Sequence, residues 1–315
     1  MIKLIRLPFF LLSYVFLCLA APSTINGASP KLQTDHPHYF ISVCAIFQNE
    51  APYLREWIEY HRIIGVEHFY LFNNESVDDY MEVLNPYIGK GIVELWDWPR
   101  KPNEAHHVGA QIAAYNHCIA LTADISDWLA LIDLDEFILP ISTKDLKTFL
   151  SKYDNEPNVG GIKINWQVFG TSHLATLPTD KPMIESLTLK APWNYEAEHR
   201  DPPDNAYIKM IVRPKAVSRY RIHDGSLKSG FYTVPKTGKG QRMTPIKVDE
   251  ICLNHYWTRA EDFFYATKVN RRLLKSKPPS YQPRLEEKLI TLNTIEDTTI
   301  FKYLPQLKKR LAEKP

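Results

Sequence analysis

The segment 127–140 constrains the fold most, because an unbroken apolar run at 128–132 ends in three carboxylates, Asp133, Asp135 and Glu136. An apolar run of this length, bounded by polar residues, is typical of a strand that is buried on both faces. Open α/β sheets bind their ligands beyond the carboxyl ends of such strands. Asp133 and Asp135 are two positions apart, so in extended geometry their side chains point the same way. Two oxygen ligands on one face predict a site for Mg2+ or Mn2+. The alternative is a solvated turn after a core strand.

The first half of the chain alternates apolar, β-branched runs with segments of helical periodicity. Strands are predicted at 39–47, 66–72, 92–96 and 128–132, and helices at 52–64, 78–87 and 105–121. This alternation predicts parallel strand pairing and a layered α/β fold. After Pro140 the alternation stops. Strands at 159–166, 207–212 and 246–257 and helices at 143–151, 260–274 and 300–311 are separated by loops, and the tail from Lys275 is basic and interrupted by proline.

The N-terminus has the pattern of a secretory signal. Lys3 and Arg6 precede an apolar stretch at 7–21, and small, polar and proline residues follow up to Pro30. The stretch is short for a membrane span, which needs about 20 apolar residues. Residues 1–30 are therefore predicted to be a signal peptide, or an uncleaved signal-anchor, with a linker. Positive charge at the extreme N-terminus predicts that the body of the chain is translocated. The predicted location is a Golgi-like secretory lumen or another extracytoplasmic space, with membrane anchoring as the alternative.

Charge and cysteine usage limit the partners. The formal net charge of +2 gives no reason to expect a nucleic-acid partner. Beyond the N-terminal segment, Cys44, Cys118 and Cys252 lie in apolar settings without Cys-x-x-Cys spacing. They are predicted to be buried thiols rather than a disulfide framework or a metal site. One disulfide with a leftover thiol is the alternative.

Polar clusters follow all four of the first predicted strands, at 48–50, 73–76, 96–98 and 133–136. Because the carboxyl ends of parallel strands meet at one edge of the sheet, these loops are predicted to form a single site. For each cluster taken alone, the alternative is a capped helix start, and the segment 73–76 would serve that purpose well.

Several blocks of the sequence resemble glycosyltransferase family 92. They lie at 47–61 and 68–79, at Gln111, Tyr115 and Asn116 with 128–137, at 166–172, and at 254–259 with Glu261, Phe263 and Lys268. The resemblance implies a GT-A-like fold, a Rossmann-type α/β fold with a mixed, mainly parallel sheet and helices on both faces. We expect the catalytic domain at 31–275 and a helical, basic tail at 276–315. One departure is Asn73, at a position that is often acidic in the family, although an amide can still hydrogen-bond there.

The resemblance further implies that a sugar is moved from a nucleotide sugar, specifically a UDP-sugar, to a hydroxyl group of a glycan acceptor, with inversion of configuration. A cation, Mn2+ or Mg2+, held by Asp133, Asp135 and His255 would stabilise the leaving nucleoside diphosphate. The residues predicted to bind the sugar donor are Asn49, Glu50, Asn73, Asn74, Asp133, Lys209 and Lys268. For any single histidine or lysine, a structural or solvent-facing role is the alternative, and His223 is a second candidate for the metal.

An inverting transfer needs a carboxylate base. The candidates lie in loop-rich regions and are Glu196, Glu198, Asp201, Asp204 and Asp224, while Trp166 and Trp193 are predicted to stack on acceptor sugars. Core packing is the alternative for Trp166. Two other functional classes remain open at this point. A glycoside hydrolase would use two carboxylates about 5–10 Å apart and no metal, and a non-catalytic carbohydrate-binding protein would need no nucleotide. The sequon at 74–76 falls in the predicted site and is expected to be unmodified.

Overall fold

A computed structural model describes residues 37–99, 107–193, 204–236, 243–270 and 281–314. The strands are β1 (Tyr39–Phe47), β2 (His68–Asn73), β3 (Val93–Asp97), β4 (Ser126–Leu131), β5 (Glu136–Pro140), β6 (Val159–Val168), β7 (Leu189–Lys190), β8 (Ile208–Val212), β9 (Val217–Tyr220), β10 (Gly225–Leu227), β11 (Tyr232–Val234), β12 (Ile251–His255) and β13 (Ile295–Glu296). The α-helices are α1 (Ala51–Ile63), α2 (Tyr80–Gly89), α3 (His107–Thr122), α4 (Leu146–Leu150), α5 (Met183–Ser186), α6 (Glu261–Phe263), α7 (Tyr281–Leu292) and α8 (Leu304–Ala312). A π-helical segment, Phe264–Asn270, follows α6 directly.

Nine strands form one mixed sheet in the order β3-β2-β1-β4-β8-β6-β12-β5, and β11 pairs with β6 off this path. The pairs β1–β2, β2–β3, β1–β4, β6–β12 and β6–β11 are parallel. The pairs β4–β8, β6–β8 and β5–β12 are antiparallel. The sheet is therefore mainly parallel, as predicted. Because β1 to β4 run in the same direction, the polar residues that follow them reach the same edge.

Helices cover both faces of the sheet. Val43 of β1 belongs to the apolar layer that contains Trp57 of α1, whereas the next residue, Cys44, belongs to the layer that contains Tyr115 of α3. This alternation is the two-residue period of a strand, and it confirms the predicted helix–sheet–helix layering. Helix α1 ends before Gly65, whose φ of +104° lies in the left-handed region that glycine adopts without strain.

The C-terminal helix α8 packs on α1 as part of the main core. Leu307 of α8 is buried in the same apolar layer as Trp57. Buried Glu59 of α1 accepts hydrogen bonds from Arg310 at 3.0 Å and from the Tyr87 hydroxyl at 2.9 Å. The chain from Pro37 onward forms one compact unit. The last helix of the segment 276–315, α8, thus has its apolar face buried against α1.

Several local expectations differ from the structure. The apolar residues after the three acids form β5, a run too short to be recognised from the sequence, which pairs with β12. The segment 281–292 is helical although it contains Pro283, because a first-turn proline breaks no intrahelical hydrogen bond. The predicted helix at 260–274 is a single α-helical turn followed by the π-helical segment, while 271–274 lie outside the described residues.

Cysteine and membrane expectations have separate outcomes. Cys44, Cys118 and Cys252 are free and buried, which confirms the prediction of thiols in the core. Within the described ranges, no helix is long and apolar enough to cross a membrane. The predicted signal peptide or signal-anchor at 1–30 lies outside those ranges.

Glu56 of α1 is a buried carboxylate that fixes the start of α5. Its two oxygens accept hydrogen bonds from the backbone N–H groups of Met183 at 2.7 Å and Ile184 at 3.0 Å. Burial raises the pKa of Glu56 from 4.5 to about 7, against the lowering effect of these two N–H groups and of the Arg259 charge.

We expect the wild type to lose stability relative to a Glu56→Gln variant as the pH rises from 4.5 to about 7. Between these values the unfolded chain has released this proton while the folded chain keeps it. Ionisation therefore costs the folded state roughly 3 kcal/mol across this window. Urea unfolding of both proteins at a series of pH values measures the difference. A stability difference that stays constant over the window would show that the carboxyl group is not held protonated by burial.

Candidate functional site

A cavity of about 400 Å³ lies where the loops after β1, β2 and β4 meet. It is lined by Ile46, Phe47, Gln48, Glu50, Asn74, Gln111, Asp133, Leu134, Asp135 and Lys268. The loop after β3 joins the same edge, because Asn73 donates to Asp97 at 3.0 Å and Asn74 donates to the carbonyl of Trp98 at 2.8 Å. The four polar loops therefore converge as the parallel topology predicts.

The acidic segment is a tight turn. Strand β4 ends at Leu131, and the Glu136 N–H donates to the carbonyl of Asp133 at 3.1 Å. The Glu136 carboxylate closes the turn from the other side by accepting from the Asp133 N–H at 2.8 Å. The expectation that Asp133 and Asp135 lie on an extended strand is therefore wrong, because reversal into β5 begins immediately after β4. Both residues nevertheless line the cavity.

Asp133 is held by three side chains from other elements. Its Oδ1 accepts from Gln111 Nε2 at 2.6 Å and from the Tyr115 hydroxyl at 2.9 Å, both on α3. Its Oδ2 lies 3.0 Å from Nζ of Lys209, a fully buried residue of β8. Both carboxylate oxygens thus already face hydrogen-bond donors or a cation of the protein.

Lys209 also lies 3.7 Å from Oε2 of Glu136, which is fully buried. Burial raises the pKa of Glu136 well above its ordinary value, and the Lys209 charge only partly opposes this. Burial would lower the pKa of Lys209, but the two carboxylates outweigh it and raise that pKa. One buried cation therefore faces two acidic side chains of the turn.

Asp135 faces a histidine and a lysine. Its Oδ1 is 3.5 Å from His255 Nε2, and its Oδ2 is 3.9 Å from Lys268 Nζ. The sheet positions the histidine, because His255 is the register partner of Glu136 and the N–H of Tyr256 donates to the Asp135 carbonyl at 2.8 Å. Burial alone would raise the pKa of Asp135, but the charges of His255, Lys268 and Arg259 outweigh it and lower that pKa.

Asp135 and His255 fit a divalent cation better than Asp133 does. Neighbouring ligands of an ion with bonds near 2.1 Å lie roughly 3 Å apart, and the facing Asp135 and His255 atoms are 3.5 Å apart. His255 Nδ1 is buried without a hydrogen-bond partner among the described residues. In the same ranges, no group of three or more His, Cys, Asp or Glu side chains is arranged to hold a metal. A bound ion would therefore need further ligands from its substrate or from water.

Arg259 is a site residue that the sequence did not single out. It is 1% exposed, its φ is +50°, and it donates a hydrogen bond to Glu50. Its guanidinium carbon lies 3.6 Å from the ring centre of Tyr53 and 4.3 Å from that of Phe263. A left-handed backbone at a buried arginine is strained, and such strain is concentrated at functional sites. No spacing rule identifies a lone arginine of this kind from the sequence.

The three asparagines predicted to bind the sugar donor also hold the loops together. The Asn49 side chain accepts from the Val77 N–H at 2.8 Å, and the Asn73 side chain accepts from the Ser76 N–H at 2.9 Å. Asn73 also donates to the Tyr80 hydroxyl at 2.9 Å. Asn74 lines the cavity and is only 3% exposed, which supports the expectation that its sequon is unmodified.

The candidates for the acceptor and the base are dispersed. Trp166 packs against His255, with ring centres 4.3 Å apart, and Trp193 is 59% exposed. Asp204 pairs with Lys288, and Asp224 is 3% exposed. None of these four residues lines the cavity. The remaining candidate bases, Glu196, Glu198 and Asp201, lie outside the described residues.

The sequence model of glycosyltransferase family 92 matches residues 38–311. The chain belongs to glycosyltransferase family 92. The match contains every cavity residue named above and confirms the predicted family. It also runs through α7 and most of α8, in line with the packing of α8 on the main core. The mixed, mainly parallel sheet with helices on both faces confirms the predicted α/β fold.

Curated relatives of this family 92 chain come from plants and a nematode. It is 29% identical over 222 residues to a glycosyltransferase family 92 protein of Oryza sativa subsp. japonica, covering 68% of this chain and 32% of that protein. It is 25% identical over 232 residues to a beta-1,4-galactosyltransferase of Caenorhabditis elegans, covering 69% of this chain and 50% of that protein. The chain thus spans about a third of the rice protein and half of the nematode protein.

Solved structures show partial similarity. S. aureus TarS 1–349 in complex with UDP matches with a TM-score of 0.32 and 14% identity, covering 55% of this chain and 46% of that one. Glucosyl-3-phosphoglycerate synthase from Mycobacterium tuberculosis, in complex with Mn2+, UDP and glucosyl-3-phosphoglycerate, matches with a TM-score of 0.28 and 17% identity, covering 41% and 44%. At this level of similarity, the ligands bound in those structures are properties of those proteins and are not assigned to this chain.

Proposed function

We propose that this chain is a metal-dependent glycosyltransferase that moves a sugar from a UDP-sugar to a hydroxyl group of a glycan with inversion. The observation that carries the proposal is the pairing of Asp135 with His255 at 3.5 Å, beside Lys268, at the edge of a cavity in which the loops after three parallel strands meet. Membership of family 92 supports the transferase chemistry. The uridine nucleotide and the inversion rest on the family resemblance.

Two roles are proposed for the residues at the cavity: Asp135 and His255 hold the cation, and Lys268 binds phosphate. Asp135 and His255 would hold Mn2+ or Mg2+, whose chemistry is to offset the negative charge that develops on a leaving diphosphate. Lys268 lines the same cavity and brings a cation to its edge. Asp133 keeps the turn in place through Gln111, Tyr115 and Lys209. The acceptor proton passes to a carboxylate base, for which Glu196, Glu198 and Asp201 stay predictions.

We also propose that the protein works where nucleotide sugars reach a translocated enzyme, in a Golgi-like lumen or another extracytoplasmic space. The proposal rests on the signal-like pattern of residues 1–30. Membrane anchoring through the same segment remains the alternative.

We expect UDP with Mn2+ to raise the melting temperature of the full chain, and Mn2+ to be required for most of this effect. A ligand that binds only the folded state at a hundred times its dissociation constant stabilises that state by roughly 2.7 kcal/mol. His255→Ala should weaken Mn2+ binding by more than the 10–100-fold that is typical of an outer partner. Thermal unfolding with titrated Mn2+ measures both effects.

His223→Ala is the matched control, because His223 also packs against Trp166, with ring centres 5.2 Å apart, but does not pair with Asp135. It should keep the Mn2+ response. Equal Mn2+ affinity in the two variants would remove His255 from the site. Stabilisation by guanosine or cytidine diphosphate but not by UDP would contradict the choice of uridine. A hydrolase or a non-catalytic sugar-binding protein would respond to neither nucleotide nor metal.

A further inference from the structure

A second cavity, of about 660 Å³, lies next to the first one. Its volume is within the range of roughly 300–1,000 Å³ that is usual for ligand pockets. Tyr53, Glu56, Thr179, Lys181, Asp262 and Phe263 are among the residues that line it. None of these residues was assigned to a site from the sequence.

The two cavities are built on the same two segments. At the start of α1, Glu50 lines the first cavity and Tyr53 lines the second. Farther along the chain, Lys268 lines the first cavity and Phe263 lines the second. Arg259 lies between them, bonded to Glu50 and stacked at 3.6 Å and 4.3 Å from the ring centres of Tyr53 and Phe263. A molecule in the second cavity is therefore one side-chain layer away from the Asp135 region.

The lining has the chemistry that carbohydrates need. The Tyr53 and Phe263 rings meet edge to face with centres 6.5 Å apart and offer apolar surface for the C–H face of a sugar. Thr179, Lys181 and Asp262 add a hydroxyl, a cation and a carboxylate as hydrogen-bonding partners for sugar hydroxyls. Groups of both signs are present, which favours a neutral ligand over a strongly charged one.

The segment 176–183 forms one wall of the second cavity, called the far wall here. Glu56 of α1 holds the end of this wall in place. Its carboxyl group accepts from the N–H groups of Met183 and Ile184, which ties the end of the segment 176–183 to α1. Residues at the other end of this wall meet α6, because the carbonyl of Ala175 accepts from the Asp262 N–H at 3.0 Å. The wall is thus anchored at both ends, and a preformed cavity binds a ligand at a lower ordering cost.

We propose that the second cavity holds the acceptor, a neutral oligosaccharide whose terminal ring lies against Tyr53 and Phe263. This assignment rests on the proposed function and places the acceptor apart from Trp166 and Trp193. The Arg259 side chain separates the two substrates. The sugar donor lies on the side of Glu50 and Asp135, and the acceptor lies on the side of Tyr53. Where the two cavities adjoin at Arg259, the acceptor hydroxyl oxygen bonds to the anomeric carbon of the donor sugar while the bond from that carbon to UDP breaks. UDP stays in the first cavity, and the hydroxyl proton passes to the carboxylate base.

The test fills the second cavity from its far wall. Thr179→Trp adds a large side chain at an exposed lining residue, and Thr298→Trp adds the same bulk at an exposed residue outside both cavities. Each full-length variant is probed on an array of neutral oligosaccharides in the presence of UDP and Mn2+, and in transfer with a panel of UDP-sugars. We expect Thr179→Trp to lose array binding and to raise the KM for the acceptor by about tenfold or more, with little change in kcat.

The thermal response to UDP and Mn2+ separates this proposal from the proposed function. Both variants should keep that response, because neither substitution touches the first cavity, and Thr298→Trp should keep array binding and transfer. Normal acceptor KM in Thr179→Trp would overturn the assignment of the cavity while leaving the transferase intact. Absence of array binding by the wild type would also count against it. Loss of the UDP response in the wild type would instead refute the proposed function.

Discussion

Replacing Asp135 by Asn is expected to reduce sugar transfer by at least about a thousandfold while leaving the fold intact. The amide keeps the shape of the side chain but loses the negative charge that faces His255 at 3.5 Å and Lys268 at 3.9 Å. The backbone contact is retained, because the Asp135 carbonyl, which accepts from the Tyr256 N–H, is unchanged. Transfer assays with a panel of UDP-sugars and saturating Mn2+ measure the loss, and circular dichroism and thermal unfolding check the fold.

Asp154→Asn is the matched control for this experiment, because Asp154 is exposed and lies in neither cavity. It should retain full transfer. Full activity of Asp135→Asn, or transfer by the wild type that persists in EDTA, would remove the metal from the proposed mechanism.

The sequence predicted the parts of the fold that local signals specify. The apolar run at 39–47 and Pro52 in the first turn of α1 are each visible within a few residues. The same holds for β4 with the acids after it, so the convergence of the polar loops followed from parallel pairing alone. Family resemblance added His255 to the site, which β12 then places opposite Glu136.

The missed features depend on contacts that are distant in the sequence. The turn at 133–136 exists because β5 returns to pair with β12, a partner more than a hundred residues away. Arg259 becomes a site residue only because Tyr53 and Phe263 enclose it beside Glu50. Propensity and spacing do not encode such partners.

Lys209 shows how strongly the site depends on one such distant contact. We expect Lys209→Met to destabilise the protein by about 3–5 kcal/mol, because it removes a buried cation that faces the acidic side chains of Asp133 and Glu136. Nζ lies 3.0 Å from Asp133 Oδ2 and 3.7 Å from Glu136 Oε2, and Glu136 is as completely buried as Lys209 itself. Urea unfolding of the variant and the wild type measures the loss.

The double variant Lys209→Met/Glu136→Gln tests whether charge rather than packing is responsible. Removing one buried carboxylate together with its cation should recover part of the lost stability, so the two substitutions should be strongly non-additive. The Asp133 side chain would still be held by Gln111 and Tyr115. The double variant should therefore show metal-dependent binding of UDP as well as the recovered stability. Additive losses, or a Lys209→Met protein within about 1 kcal/mol of the wild type, would mean that the cluster is solvated or neutral. In that case Asp133 would be positioned by α3 alone, and Lys209 would not contribute to the architecture of the site.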